Sequence, residues 1–503
     1  MLILLFCTSL LTVILWSTIR QFINYICKPG PWTNFIPFIG SLPIVWTQKR
    51  LHEKLADLSQ KYGDTIFLKL GCQDAVALNS YESIQSAFQR LEFCGRPDTF
   101  VIEALRGAGE TSLPFSEGQK WRQCRKIAFR AVNLYASSKT SRLEPVLHSC
   151  LNWLTTKIDQ FSPQPINIRP LTMQFTGAVT ASLCFGNLIK PEDPYLENLF
   201  LIIDEANELA GNQGLKMLQL VDFFPFLHVF DEDRKRLVVD KLNEFTGKLR
   251  QSIQEYEPNS EVETIADALY KAAAEIDTES PTNQDRSNLS ADIIKTMAVE
   301  LFDAGFFLTA RSLEWLLLLM ATHPEIQDQV HAEIDQYLME NSIDYPTLTE
   351  HYELLTYSRA CIAEYFRWVT PTPLGILHST TKDCELNENK ISKGTILISN
   401  LWASHNDESV FQNPSKFHPQ RFLTPDGQID KSKTGKLAAF SLGKRRCVGE
   451  KIAWQEIFVA FVSLMRRYTV RFHGTGIEAK TVLYGVVGFG LSPTHHEIIM
   501  EKR

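Results

Sequence analysis

Phe440-Ser-Leu-Gly-Lys-Arg-Arg-Cys-Val-Gly449 is the stretch that decides how this chain reads, because it fits the pattern FxxGxRxCxG at all five specified positions. The spacing is that of a haem-thiolate site. Gly443 and Gly449 permit tight turns and close approach of backbone to a flat ring. The following residues, Glu450-Lys-Ile-Ala-Trp-Gln-Glu-Ile-Phe-Val-Ala-Phe461, have a helical pattern, which sets Cys447 near a helix N-terminus. A helix dipole together with Lys444, Arg445 and Arg446 is expected to lower the thiol pKa and hold sulfur as the metal-binding thiolate. Thiolate ligation pushes electron density onto haem iron and favours O–O cleavage. A free cysteine in a basic loop is the plainer alternative, and five matched positions weigh against it.

Four more segments agree. Glu364-Tyr-Phe-Arg367 fits an ExxR helix, and His418-Pro-Gln-Arg-Phe422 fits a PERF segment with Gln420 in place of the acid. Trp121-Arg-Gln-Cys-Arg125 fits WxxxR, and Lys28-Pro-Gly-Pro-Trp-Thr-Asn-Phe-Ile-Pro37 reads as a proline hinge. A Glu and an Arg three apart are ordinarily an exposed helix pair, so the weight lies in the order of the segments. Together they resemble the cytochrome P-450 family from the hinge to about Phe472, most densely over His323 to Phe458. The resemblance implies a mostly α fold with a small β region, in a single large catalytic domain behind an N-terminal membrane anchor. It implies haem b with Cys447 as axial ligand, and Phe440 and Gly449 in the cofactor-binding loop. Trp121, Arg125, His378 and Arg445 would hold the haem propionates, the arginines through charge-assisted bonds; the alternative for Arg125 and His378 is a surface ion pair or a cap. Glu364, Arg367 and Arg421 would form a buried ion network, from which deleting one member costs about 3 to 5 kcal/mol. Electrons would come from NADPH through NADPH-cytochrome P-450 reductase, with cytochrome b5 as a second donor.

The chain has 503 residues and no Gly/Ser linker or internal repeat, so one large domain is expected rather than three. A net charge of −7 supplies no basic field for nucleic acid. Ten scattered cysteines without CxxC spacing point to a reducing compartment rather than a disulfide scaffold. Met1 to Ile19 carries no charge and is dominated by Leu, Ile, Val, Phe and Trp. At about 1.5 Å per residue it reaches about 28 Å, enough to span a bilayer. No basic n-region or small-residue cleavage site is evident, so it reads as an uncleaved signal-anchor. Arg20, Lys28, Lys49 and Arg50 follow, and no Asp or Glu precedes Glu53, which places the remainder in the cytosol. The expected layout is a transmembrane anchor at 1–27, a proline-rich hinge at 28–50 and the catalytic domain at 51–503. The endoplasmic reticulum follows from the resemblance, and a cytosolic domain leaves Asn288-Leu-Ser290 unglycosylated.

Leu51 to Tyr62 is helical in pattern, Thr65 to Leu70 and Asp74 to Leu78 form a hairpin around Gly71, and Phe100 to Gly118 reads as a loop covering substrate. Glu257 to Asp292 is polar, apart from a helical patch at Ile265 to Ile276, and reads as a mobile surface connection. Leu215 to Phe230 crowds aromatic residues around Pro225, as core or as a membrane-dipping segment. Ile293 to Thr322 is a long apolar helix ending at His323-Pro324, and Asp303, Arg311 and Glu314 within it argue against a second membrane span. Ile391 to Trp402 reads as turn, strand and helix start.

Ala304-Gly-Phe306, His323-Pro-Glu-Ile-Gln327 and Lys393-Gly-Thr395 look like the animal microsomal branch. Leu220-Val-Asp222 and Asn400-Leu-Trp-Ala-Ser-His405 are most similar to steroid 17-hydroxylases and aromatic-hydrocarbon hydroxylases. This implies a small, flat, apolar substrate. Ala304, Gly305 and Thr309 are the candidate residues of the distal face. Members that cleave dioxygen carry an acid and an alcohol soon after Ala-Gly, since two protons must reach the outer oxygen. Here those positions hold Phe307 and Leu308, which move no proton. Thr309 comes one place late, turned by about 100° on the helix, and is expected to back-bond to the Gly305 carbonyl. Three readings follow: a monooxygenase whose substrate or ordered water supplies protons, a haem-thiolate isomerase or dehydratase acting on a peroxide, and a haem sensor. Branch similarity and the cations Lys444, Arg446 and Lys451, suited to an acidic donor, favour the first.

Overall fold

The structure, a computed structural model, describes residues 28–31, 39–46, 50–98, 113–136, 143–186, 256–279, 289–339 and 350–503, apart from positions 260 and 489, with a few short runs elsewhere. Almost all of Met1 to Ile19, most of Phe100 to Gly118 and all of Leu215 to Phe230 lie outside the described residues.

A 32-residue helix, Ala291–Thr322, runs through the centre. Ser290 caps it by accepting a bond from Ile293 N, and it stops at His323 because Pro324 opens the next helix, Pro324–Ile334. Every residue from Leu313 to Met320 is buried, so this half is apolar on all sides, as a core helix must be. Among the described residues it is the one helix long and apolar enough to cross a membrane, yet 78% of its apolar stretch is buried inside the fold. The charge inside it is compensated. Glu314 is bound by Arg311 at 2.7 Å and by Arg169 at 3.0 Å, with His496 at 3.8 Å. Burial pushes the Glu314 carboxyl up, but the two arginines outweigh it and hold the group below its ordinary range. The helix packs closely on Arg169–Phe185; a Cβ at Gly305 would stand 2.8 Å from Thr180 Cγ2.

The β region folds as read. Thr65–Leu70 pairs antiparallel with Gln73–Leu78 across Gly71, whose φ of +59° suits the turn. Ile396–Ser399 adds in parallel, and His378–Ser379 closes the four-stranded sheet. The Asn400 side chain caps Leu401–His405 and bonds Asn79 Oδ1 and His52 O, each at 2.8 Å, joining that helix to the sheet and to Leu51–Tyr62. Residues 39–46 also belong to this layer. Ser41 N bonds Lys69 O, and Leu42, in the helix Leu42–Trp46, is buried. A second sheet joins Pro165–Ile166, Glu497–Lys502 and Tyr468–His473.

One expectation needs correcting. Within the polar stretch 257–292, the helix Ile265–Glu279 is no surface element, because Ala268, Leu269, Ala272 and Ile276 are buried against Gly118–Tyr135. Asp267 ties down the residues before it, accepting from Tyr256 Oη at 2.6 Å and from Asn259 N at 2.8 Å. Polar composition hid this because four of the buried positions, Ala266, Ala268, Ala272 and Ala273, are alanines, which carry little hydropathy.

His52 is fully buried, edge-on to Trp402, with neither ring nitrogen hydrogen-bonded. Burial, aided by Arg50, drops its pKa from 6.5 to about 3. Its desolvation is uncompensated, so His52→Leu should raise stability at pH 7 by about 1 to 3 kcal/mol. Below pH 6.5 the unfolded chain takes up a proton that the folded one refuses until about pH 3. Stability therefore falls on acidification by about 1.4 kcal/mol per pH unit for this group, and the variant should lack that slope. Urea unfolding at pH 7 and at pH 5 measures both effects.

Candidate haem-thiolate site

The cysteine loop is built on a close contact. Gly443 has φ +72°, and a Cβ there would lie 2.1 Å from the Phe88 carbonyl oxygen, so only glycine lets the loop cross the helix Tyr81–Phe88. Ser441 N bonds Ala438 O at 2.8 Å, and Cys447 N bonds Phe440 O at 2.9 Å. The Phe440 ring packs on Phe366, 4.9 Å between centroids. Gly449 is the N-cap of the helix Glu450–Arg467; its φ of −85° is ordinary, and a Cβ there would only touch Cys447 Sγ at 4.0 Å. Cys447 is exposed, although protein atoms surround its sulfur.

Electrostatics at this thiol differ from the sequence expectation. Burial raises the Cys447 pKa, and it outweighs the N–H groups of Gly449 and Glu450 and the charge of Arg125, which favour thiolate; Glu450 opposes them. Lys444 and Arg446 are exposed. Arg445 is turned away, donating to Cys94 O at 2.7 Å and Ser116 O at 2.6 Å. A metal bound at this sulfur would have to displace the thiol proton.

Beside the loop the structure gathers buried cations. Arg445 lies 4.2 Å from the centroid of the buried Trp121 ring. Arg125 donates to Arg446 O at 2.7 Å. His378 is buried, stacked on Phe88 at 3.8 Å, with Nδ1 2.9 Å from Phe93 O; burial, then Arg96, hold it neutral. Arg96 was not read from the sequence, yet it is buried and shares the Pro114 carbonyl with Arg445, at 2.8 and 3.3 Å. Gly95 places it: a Cβ there would clash with Ser379 Oγ at 2.6 Å, so glycine lets Arg96 lie along the strand carrying His378. The only sequence trace was the turn signal Gly95-Arg96-Pro97. The forked donors of arginine fit carboxylates bidentately. The set fits the two carboxylates of a haem.

On the other side of Cys447, Arg367 grips Glu364 through two bonds, 2.7 and 2.8 Å, with both side chains fully buried. Arg421 joins at 3.0 Å, and His418 N donates to the same carboxylate at 2.8 Å. The replaced acid, Gln420, donates instead to Gln329 Oε1 at 2.8 Å. In the central helix Ala304 is exposed although its helix is a core element, so it borders interior space. Leu308 shares that face one turn on. Thr309 does not serve the face: it is buried and donates to Gly305 O at 2.6 Å. Gly305 turns its Cα toward Thr180, as noted for the helix packing.

Residues 29–500 match the cytochrome P450 family. The chain belongs to that family. It is 30% identical to cytochrome P450 2U1 of Bos taurus over 451 residues, which cover 89% of this chain and 80% of the bovine one. It is 27% identical to cytochrome P450 1A5 of Gallus gallus, covering 95% and 91%, and 28% identical to cytochrome P450 1A1 of Homo sapiens, covering 87% and 85%. As a cytochrome P450 it is a haem-thiolate monooxygenase, an oxidoreductase using haem b with a cysteine thiolate and electrons from NADPH delivered by a reductase.

The P450 loop tolerates its two glycines unequally. Gly443→Ala should cut haem content several-fold, since both the backbone conformation and Phe88 oppose the methyl group, whereas Gly449→Ala should be mild. Soret absorbance per mole of purified protein measures the difference.

Proposed function

We propose that this P450 inserts one oxygen atom from O2 into a flat apolar substrate, steroid-like or polycyclic, with Cys447 as the axial ligand. The observation that carries the reading is the cluster of Trp121, Arg125, His378, Arg445 and Arg96 beside the cysteine loop, a donor set for two carboxylates next to a thiol. When bound, the haem supplies oxygen activation. Ala304 leaves room above it, and Phe440 and Gly449 shape the loop below. Phe307 and Leu308 exclude water from the substrate side; a Cβ at Gly490 would come within 3.1 Å of Leu308 Cδ2, so the C-terminal loop closes on the same apolar wall. With Thr309 bonded to its own helix, protons come from a substrate hydroxyl or an ordered water.

Electrons enter at the proximal surface. A cleft of about 530 Å³ there is lined by Tyr81, Gln85, Leu442, Lys444, Arg446 and Glu450, and the exposed Lys444, Arg446 and Lys451 suit an acidic donor such as NADPH-cytochrome P-450 reductase or cytochrome b5. The chain is held in the endoplasmic reticulum membrane by residues 1–27, passes through the segment 28–50, of which residues 39–46 pack on the sheet, and carries a cytosolic catalytic domain at 51–503. Support comes from the uncharged run Met1 to Ile19 and from the docking of Lys28 and Pro29 on the sheet, through Lys390 O at 2.9 Å and Phe67 N at 2.8 Å.

Reduced protein under carbon monoxide should give the red-shifted Soret band of a thiolate-ligated haem, and Cys447→Ala should lose it. A mutant that keeps the band removes Cys447 as ligand.

With purified protein, NADPH and reductase, a poorly fitting substrate should send much of the NADPH to hydrogen peroxide, because the distal wall is dry. Phe307→Asp with Leu308→Thr should then raise product formed per NADPH. A substrate with a hydroxyl near the iron should already couple well and gain little. Full-rate product from a lipid hydroperoxide without any donor, with no substrate stimulating NADPH use, would replace this reading with the peroxide isomerase.

A further inference from the structure

His405 ends the short helix Leu401–His405 and is fully buried. Both of its ring nitrogens are engaged. Ala438 N–H donates to Nε2 at 2.8 Å, and a main-chain amide only donates, so Nε2 carries no proton. The proton therefore sits on Nδ1, 2.7 Å from the Thr370 hydroxyl, which in turn donates to the Arg367 carbonyl at 2.9 Å. Its neighbours thus fix one neutral tautomer. The main-chain carbonyl of His405 accepts from Arg367 Nη1 at 3.0 Å. Beyond Ala438, the Ala438 carbonyl accepts from Ser441 N and the Phe440 carbonyl from Cys447 N. A single imidazole thus stands between the Glu364–Arg367 ion pair and the entry of the cysteine loop.

We propose that His405 is a positioning residue for Cys447, a one-tautomer bridge that carries the geometry of the buried ion pair into the loop and keeps sulfur in register for the haem iron. The proposal rests on the reading of Cys447 as the axial ligand. Its logic is directional. Removing the acceptor frees Ala438 N–H, and removing the Thr370 hydroxyl leaves Nδ1–H without its acceptor. The ring then loses the bond that fixes its orientation, and Nε2 is held less firmly against Ala438 N–H. A glutamine at 405 has one acceptor and one donor and can make both contacts.

The test compares His405→Leu, His405→Gln, Thr370→Val and Thr370→Ser in the full chain with haem. Two readouts are taken: amide exchange of the peptide spanning 437–447, and the fraction of reduced, carbonmonoxy protein in the thiolate Soret form. His405→Leu and Thr370→Val should exchange about tenfold faster in that peptide, as loss of one buried hydrogen bond implies, and should lose thiolate fraction. His405→Gln and Thr370→Ser should keep both. Where His405→Leu does not accumulate, the Thr370 pair decides, because that hydroxyl touches neither the loop nor the haem. Wild-type exchange in His405→Leu and Thr370→Val, a His405→Gln as damaged as His405→Leu, or a loosened loop with an intact thiolate band each overturns the proposal. A wild type without the band overturns the axial-ligand reading instead, and exchange then still reports whether the bridge holds the loop.

Discussion

The Glu364–Arg367 pair is the interaction on which the proximal half depends. Both side chains are stripped of water, and two buried charges are favourable only when their remaining bonds are also made. Here they are. Arg367 reaches the carbonyls of His405 and Pro414, and Arg421 reaches those of Gln412 and Asn413 while sharing Glu364. Each carbonyl lies in the irregular segment 405–423, which has little regular structure to satisfy its own backbone. The ion pair does that work for it, and so the segment leading to the cysteine loop acquires a fixed shape with only the end of one helix and the short turn Pro419–Phe422 as regular structure.

Electrostatics around Cys447 make sense only when the loop and the cation cluster are taken together. Burial raises the pKa of the Cys447 thiol, and the guanidiniums of Arg96 and Arg445 lie buried beside the loop. A haem held there would bring a cation to the sulfur and two carboxylates to the arginines, and its loading would then be coupled to the folding of this region.

Much of this was legible in the sequence because the signals were local. Ser290 and Pro324 bracket the central helix, Gly71 marks the hairpin, and fixed spacings gave Cys447, Glu364, Arg367 and Arg421. Trp121 and Arg125 lie on the helix Gly118–Tyr135, and Arg445 lies in the cysteine loop. Arg96 was missed because its importance comes from burial beside residues more than 280 positions away in sequence, which no window shows. The thiol pKa was misjudged for a related reason: charge is visible in a sequence and desolvation is not, and three neighbouring cations pointed elsewhere. The helix Ile265–Glu279 was underrated because alanine buries well but scores weakly.

The central helix shows what the departure at Phe307 and Leu308 entails. Its hydroxyls are not absent; they are turned inward. Thr309 bonds the Gly305 carbonyl, Ser312 bonds the Leu308 carbonyl at 2.7 Å, and Tyr365 donates to Ser312 at 2.9 Å. Each is a helix-backbone or core contact, and Thr309, Ser312 and Tyr365 are all buried. A hydroxyl committed to a carbonyl of its own helix gains a bond at no expense in cavity polarity, while the face carrying Ala304 and Leu308 stays apolar. The hydroxyls of Thr309 and Ser312 are spent on their own helix and are withdrawn from that face. Under the proposed function, selectivity and coupling would be set by the same feature: a substrate that brings its own hydroxyl would supply what the helix has withdrawn, and one that lacks it would not.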